Sequence, residues 1–181
     1  SSAASDVYKR QGQDAVTVQT AFALSCNTAF VEMSEQLGAD ELRKYAKAFG
    51  VGENYDLGVS TSAGTLGDLP DGAATAQSAI GQRDVTMTAL QAAVMAGTVA
   101  NKGTRMQPYL VNRITDAQMK DVRTTKPKKA DQAVNEETAA TLTDLMYASE
   151  RSSAGYDGNG FASKTGTAEH GEGLAPHVWY V

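Results

Sequence analysis

One cysteine, one tryptophan, two histidines and four prolines in 181 residues exclude several kinds of protein at once. The lone Cys26 rules out an internal disulfide, although it does not choose between reducing and oxidising surroundings. No apolar run approaches the ~20 residues that cross a bilayer, and the first residues do not show the charged-then-apolar pattern of a secretion signal. An excess of positive charge is missing as well, since the formal net charge of -5 argues against a general nucleic-acid binder. What is present, 41% hydrophobic and 20% charged residues, suits one domain with a core. A chain of this size buries about 70% of the surface that its unfolded form exposes.

The opening SSAASDVYKRQ has neither periodicity nor a cap, and residues 1–11 read as a non-native or disordered tail. Beyond it, NTAFVEMSEQLG places Phe30, Met33 and Leu37 at helical spacing, with Asn27 as cap and Gly38 as stop. DELRKYAKAFG repeats the arrangement, with Asp40 as cap, Leu42, Tyr45, Ala46 and Phe49 inward and Gly50 as stop. Residues 55–74 are rich in Gly, Ser, Thr and Asp and read as a loop. TMTALQAAVMAGTVANKG predicts a closely packed helix, with Leu90, Ala93, Val94 and Gly97 on one stripe, Thr86 or Thr88 as cap and Gly103 past its end.

QPYLVNRIT predicts a strand, and the basic run from Lys120 to Lys129 reads as a solvated connector rather than a binding patch. NEETAATLTDLMYASE predicts a helix capped by Asn135 with Leu142, Leu145 and Met146 inward. A glycine-rich turn then leads to FASKTGTA and HVWYV, the two runs of a candidate hairpin. Helices followed by terminal strands indicate an α/β or α+β domain.

Several sites can be weighed from residue types alone. GNGFASKT, from Gly158 to Thr165, misses a phosphate loop by one position, where Ser163 replaces the second glycine. Such a loop also needs a strand before it and a helix after it, and the glycines and Pro176 downstream oppose the helix. Glu169, His170, Glu172 and His177 match no familiar metal-ligand spacing, so no metal and no cofactor are expected. Neither histidine has the setting of a Ser-His-Asp hydrolase, and Cys26 has no evident base, so it reads as a small buried thiol. Two short segments remain, Ser25-Cys26-Asn27 before a helix and Lys164-Thr165-Gly166-Thr167 on a strand. Thr165 and Thr167 share one face of that strand, and strict alternation puts Lys164 on the other.

In that order and context the two segments resemble the second and third signature elements of the penicillin-binding proteins, within them the class B transpeptidases. The resemblance runs from about Val16 onward. ALSCNTAF is similar to the Ser-x-Asn element with its flanks, KTGTAE to the Lys-Thr-Gly element, and residues 80–111 and HVWYV to a helix and a strand of the same domain. One departure is plain: no Ser-x-x-Lys, the element that carries the acylated serine, occurs in the 181 residues. Residues 12–181 are therefore expected to be a partial transpeptidase domain lacking that segment and the C-terminal strand and helix, a helical subdomain with part of an antiparallel sheet.

The resemblance implies a peptidoglycan D,D-transpeptidase in the parent protein, acting by serine acyl transfer on D-Ala-D-Ala stem peptides and binding β-lactam antibiotics. The piece by itself is expected to be inactive. Ser25 and Lys164 would be catalytic, Ser25 relaying a proton to the leaving amine and Lys164 setting the potential of the site. Asn27, Thr165, Gly166 and Thr167 would bind substrate, and the Thr167 amide would give one oxyanion donor. Partners would include cell-division or elongation proteins through the parent, without nucleic acid. The location would be the extracytoplasmic face of the bacterial cytoplasmic membrane, with the anchor outside this sequence. A serine β-lactamase or β-lactam-sensor domain is the alternative within the superfamily, and a nucleotide-binding module the alternative outside it.

Overall fold

The structure, a computed structural model, describes residues 16–169, 171 and 173–181. The tail read at 1–11 lies outside them, as do His170 and Glu172. In chain order the elements are α1 Val18–Ala23, α2 Asn27–Ala48, α3 Gly72–Ala79, α4 Ala89–Ala100, β1 Thr104–Met106, β2 Arg113–Thr115, β3 Asp121–Thr124, β4 Lys129–Gln132, α5 Glu136–Arg151, β5 Thr165–Ala168 and β6 His177–Tyr180. The strands form three antiparallel pairs, β1 with β4, β2 with β3 and β5 with β6. Helices and antiparallel pairs occupy separate stretches of the chain, an α+β arrangement as expected.

The core is built largely from small side chains, among them Ala21, Cys26, Ala74, Ala76, Ala92, Ala139 and Ala148, with Tyr55, Leu69 and Met146 as the large members. Short side chains let helices approach closely, and α2 packs on α3, α1 on α5 and α4 on α5. Polar residues fill the remaining interior. Gln91, 2% exposed, closes a reciprocal cap with Thr88, whose hydroxyl accepts from the Gln91 amide at 3.1 Å while Gln91 Oε1 accepts from the Thr88 amide at 2.8 Å. Its Nε2 donates to the carbonyls of Ala63 and Glu53, so one side chain ends a loop and begins a helix.

Local signals account for much of this. Asn135 accepts from the Thr138 amide at 2.7 Å and starts α5 where its cap was read, with Met146 buried. Gly103 follows α4 at φ +78, and an added Cβ there would collide with the Val134 carbonyl. Other expectations fail for identifiable reasons. Asn27 does not cap α2; it is the first helical residue, and Cys26 takes the cap position without a side-chain cap bond. By contrast, Gly38 does end the first of the two expected helices: it takes φ 80 and ψ 165, a kink that divides α2 into two helical stretches. Asp40, expected to cap the second, holds Arg43 at 3.0 Å instead.

The segment read as a loop contains the start of α3, capped by Asp71, whose side chain accepts from the Ala74 amide at 2.8 Å. Its inward residues are Ala74, Thr75, Ala76 and Ser78, which give no apolar stripe in a sequence. The same cause misplaced the α4 face: Gln91, Ala92 and Thr98 are buried, whereas Ala93 and Gly97 are exposed. The strand expected over 107–115 shrinks to Arg113–Thr115, and the basic connector carries β3 and the start of β4, exposed along their length.

Candidate active site

The first wall of the site is the turn between α1 and α2. Ser25 donates its amide to the Phe22 carbonyl at 3.1 Å, and Cys26 donates to Ala21 at 2.8 Å, closing the end of α1. This closure needs a left-handed residue, and Ser25 adopts it at φ 54 although glycine would do so without strain. A non-glycine residue there costs about 1–2 kcal/mol. Cys26 behind it is fully buried, its sulfur 3.2 Å from the Thr28 hydroxyl, which suits a packing thiol rather than a nucleophile.

The second wall is the start of the β5–β6 pair. Lys164 stands just before β5, and its backbone exchanges two hydrogen bonds with Val181, at 2.8 and 3.1 Å. From there the side chain bends toward α1, and Nζ donates to Ser25 Oγ and, at 2.7 Å, to the Thr165 carbonyl. Nζ also lies 5.8 Å from the centre of the Phe22 ring. Alternation along the strand is thus overcome by the reach of the long lysine stem. Burial pushes the Lys164 ammonium below the 10.5 of an exposed lysine.

A direction follows from donor and acceptor chemistry. An ammonium has donors only, so in the Ser25–Lys164 contact the serine oxygen must accept. The Ser25 hydroxyl proton is then free to point elsewhere. Asn27, half-buried, follows two residues later at the first position of α2.

Thr165 and Thr167 are both exposed along β5, with Gly166 and Ala168 partly covered between them. β5 pairs with β6 in the register Thr165 with Tyr180, Gly166 with Trp179 and Thr167 with Val178. Its other edge carries no strand among the described residues. The fold does not itself demand glycine at 166, since an added Cβ would meet only Trp179 Cβ, at an ordinary 3.6 Å.

The competing sites fare differently. Residues 158–165 run into strand β5 rather than into a helix N-terminus, which removes the phosphate-loop reading. Of the four residues weighed as metal ligands, two lie outside the described residues. Phe22, whose ring lies under the lysine, and the cluster of Glu150, Ser163 and Tyr180 were not among the expected site residues. Ser163 Oγ donates to Glu150 Oε2, and Tyr180 donates its hydroxyl to the same oxygen at 2.9 Å. Glu150 lies one helical turn beyond Met146, so continuing the inward stripe of α5 by four residues would have found it.

Comparison with known proteins identifies the family. Residues 2–181 match the family described as "Penicillin binding protein transpeptidase domain". The peptidoglycan D,D-transpeptidase PbpA of Mycolicibacterium smegmatis is 44% identical over 173 residues, 92% of this chain and 35% of that protein. Its Mycobacterium tuberculosis namesake is 40% identical over the same shares. Among solved structures, PBPA from M. tuberculosis superposes with a TM-score of 0.87 at 40% identity, covering 93% of this chain and 40% of that one. The penicillin G acyl-enzyme complex of M. tuberculosis penicillin-binding protein A gives 0.88 at 40% identity, over 93% of this chain and 39% of that one. The chain thus spans about a third of the length of the curated relatives it matches, 35% in both. By this match along nearly all of its residues, the chain belongs to the penicillin-binding protein transpeptidase family.

Proposed function

We propose that the protein carrying this chain is a serine-type peptidoglycan D,D-transpeptidase that β-lactams acylate, and that Ser25 and Lys164 form its proton-handling pair. The observation that carries this reading is the hydrogen bond from the Lys164 ammonium to the Ser25 hydroxyl. The nucleophile is a serine of a Ser-x-x-Lys segment, which these 181 residues do not contain. Its oxygen bonds to the carbonyl carbon of the D-Ala-D-Ala amide, the carbon–nitrogen bond breaks, and the proton that the serine hydroxyl gives up must reach the departing amine. Ser25 relays that proton, because its own hydroxyl hydrogen is not used by Lys164. An amine of a neighbouring stem peptide then attacks the ester and regenerates the serine.

The remaining residues take the parts that their positions suit. The hydroxyls of Thr165 and Thr167 hold the terminal carboxylate of the stem peptide or of a β-lactam. Gly166 lets the ligand backbone lie along the free edge of β5 as an added strand, and Asn27 holds a substrate amide. The Thr167 amide donates to the oxyanion. The protein would work on the extracytoplasmic face of the cytoplasmic membrane, where peptidoglycan and β-lactams meet it, alongside cell-division or elongation proteins. Among the described residues no helix is long and apolar enough to cross a membrane.

The test is acylation of the protein that carries both this chain and a Ser-x-x-Lys segment. Fluorescent penicillin should label it at that serine, and Lys164→Ala should slow labelling at least ~100-fold. An unchanged rate in Lys164→Ala would overturn the assignment. The 181 residues alone should take no label.

A further inference from the structure

The Lys164 side chain must bend away from the ordinary strand direction to reach Ser25, so something has to fix where β5 begins. We infer that Glu150 is a positioning residue for Lys164: by accepting from Ser163 and Tyr180 at once, it ties both strands of the hairpin to α5 and sets the ammonium against Ser25. The inference rests on the roles proposed above for Ser25 and Lys164.

Glu150 lies in the last turn of α5 and is 5% exposed, and Ser163 immediately before Lys164 is 1% exposed. Both hydroxyls reach a single oxygen, Oε2, one from each side of the hairpin. Tyr180 is the register partner of Thr165, so the two tethers bracket the point where Lys164 leaves the backbone. The Ser163 amide adds a bond to the Met146 carbonyl, 3.3 Å away on the same helix. Helix α5 also packs against α1, and Ser25 lies in the turn just past the end of α1. Helix α5 is therefore the common reference for both members of the pair: Ser25 is placed through α1 and Lys164 through Glu150.

An apolar side chain could fill the same volume, but it could not set direction. A shared acceptor fixes two hydroxyls to one point, and a buried polar group is tolerated only when its bonds are made. Losing that acceptor leaves the Ser163 hydroxyl buried and unpaired, which favours local rearrangement of the segment leading to Lys164. Loss of a merely stabilising residue would lower the melting temperature without moving the lysine.

The position of the lysine can be read without any acylation. Lys164 lies over the Phe22 ring, so in a chain carrying lysine labelled at the ε-carbon its proton resonance should show a ring-current shift. Lys164→Arg assigns that resonance, and Phe22→Leu measures the ring contribution. Glu150→Ala should remove most of the shift, in the direction of Phe22→Leu, whereas Glu150→Gln should keep most of it because the amide carbonyl still accepts from both hydroxyls. In the full protein the same two variants should acylate about 10- to 100-fold more slowly and nearly normally, respectively.

An unmoved Lys164 resonance in folded Glu150→Ala overturns the inference, as does a Gln variant as disruptive as Ala. Should Glu150→Ala not fold, the double variant Ser163→Ala/Tyr180→Phe removes both donors and must release the lysine in the same way. A resonance that responds as described, in a protein that penicillin does not label, would sink the transpeptidase reading and leave the positioning role standing.

Discussion

Lys164 and Ser25 stand 139 residues apart in sequence, yet the ammonium of one donates directly to the hydroxyl of the other. Each end of the contact is held at a cost. Ser25 occupies a left-handed backbone conformation, and the Lys164 ammonium is drawn out of water beside Phe22. Neither arrangement improves the fold for its own sake, which is why both residues make informative mutants.

Ser25→Gly and Ser25→Ala separate strain from chemistry. Both remove the hydroxyl, so both should slow acylation of the full protein by about 10²–10⁴-fold. Only glycine relieves the backbone at φ 54, so the Gly variant should be more stable than the Ala variant by about 1 kcal/mol. For a chain of this length that corresponds to roughly 2–4 °C in melting temperature. Equal melting temperatures would mean that the turn carries no strain.

The lowered Lys164 pKa fixes the sign of two pH effects. The folded state holds this proton less tightly than the unfolded chain, so stability rises with pH between the folded pKa and 10.5. Below that window both states are protonated and the burial penalty is fully present; above it both are neutral and the penalty is gone. Catalysis runs the other way, because the ammonium that donates to Ser25 disappears through the same window. Acylation should therefore fall on an alkaline limb centred below 10.5. In Lys164→Arg, whose guanidinium stays charged, whatever activity survives should lose that limb. Rate profiles of acylation against pH decide it.

How far these features could be read from the residues depended on how local their causes are. Asn135 and Thr88 announced helix starts because a cap is a bond to an amide three residues on. The runs around Thr165 and His177 showed their pairing through β-branched and aromatic residues. Helix α3 stayed hidden because its buried face is alanine, serine and threonine, which a hydrophobic period cannot see. Cys26 displaced Asn27 as the cap residue because Ser25 turns the chain one residue earlier than the preference of Asn suggests. The meeting of Ser25 with Lys164 was expected from the resemblance of two segments to known elements, since nothing local in either points to the other. The inward stripe of α5 continues from Met146 to Glu150, but its tie to Ser163 and Tyr180 was missed because a glutamate in a last helical turn ordinarily faces solvent.

Gln91 should be the most sensitive polar residue of the helical part. Replacing it with Leu keeps the volume but leaves the Thr88 amide without its Oε1 acceptor and strips the Ala63 and Glu53 carbonyls of a donor. The loss should be about 2–3 kcal/mol by urea denaturation, against about 1 kcal/mol for Thr88→Ala, which removes only the cap hydroxyl. Gln91→Glu restores the acceptor but turns an oxygen toward carbonyl oxygens. It should therefore be no better than Leu at neutral pH. A Glu variant as stable as the parent would show that the Nε2 bonds carry little of the stability.

Gly166 distinguishes a requirement of the fold from a requirement of a ligand. Its backbone is not left-handed, and a Cβ would sit 3.6 Å from Trp179 Cβ, so the protein has room for a side chain. Strand propensity even favours Val there, by a few tenths of a kcal/mol up to about 1 kcal/mol. Gly166→Val should consequently leave the melting temperature unchanged or slightly raised. On the proposed reading the ligand backbone lies against the free edge of β5 at this residue, and a branched side chain beside that edge would hold it off. Acylation of the full protein should then fall at least ~10-fold through weaker binding, seen as a higher half-saturating β-lactam concentration with a smaller change in the limiting rate. If Val lowers stability and spares acylation, glycine at 166 serves packing, and the edge of β5 is not where the ligand lies.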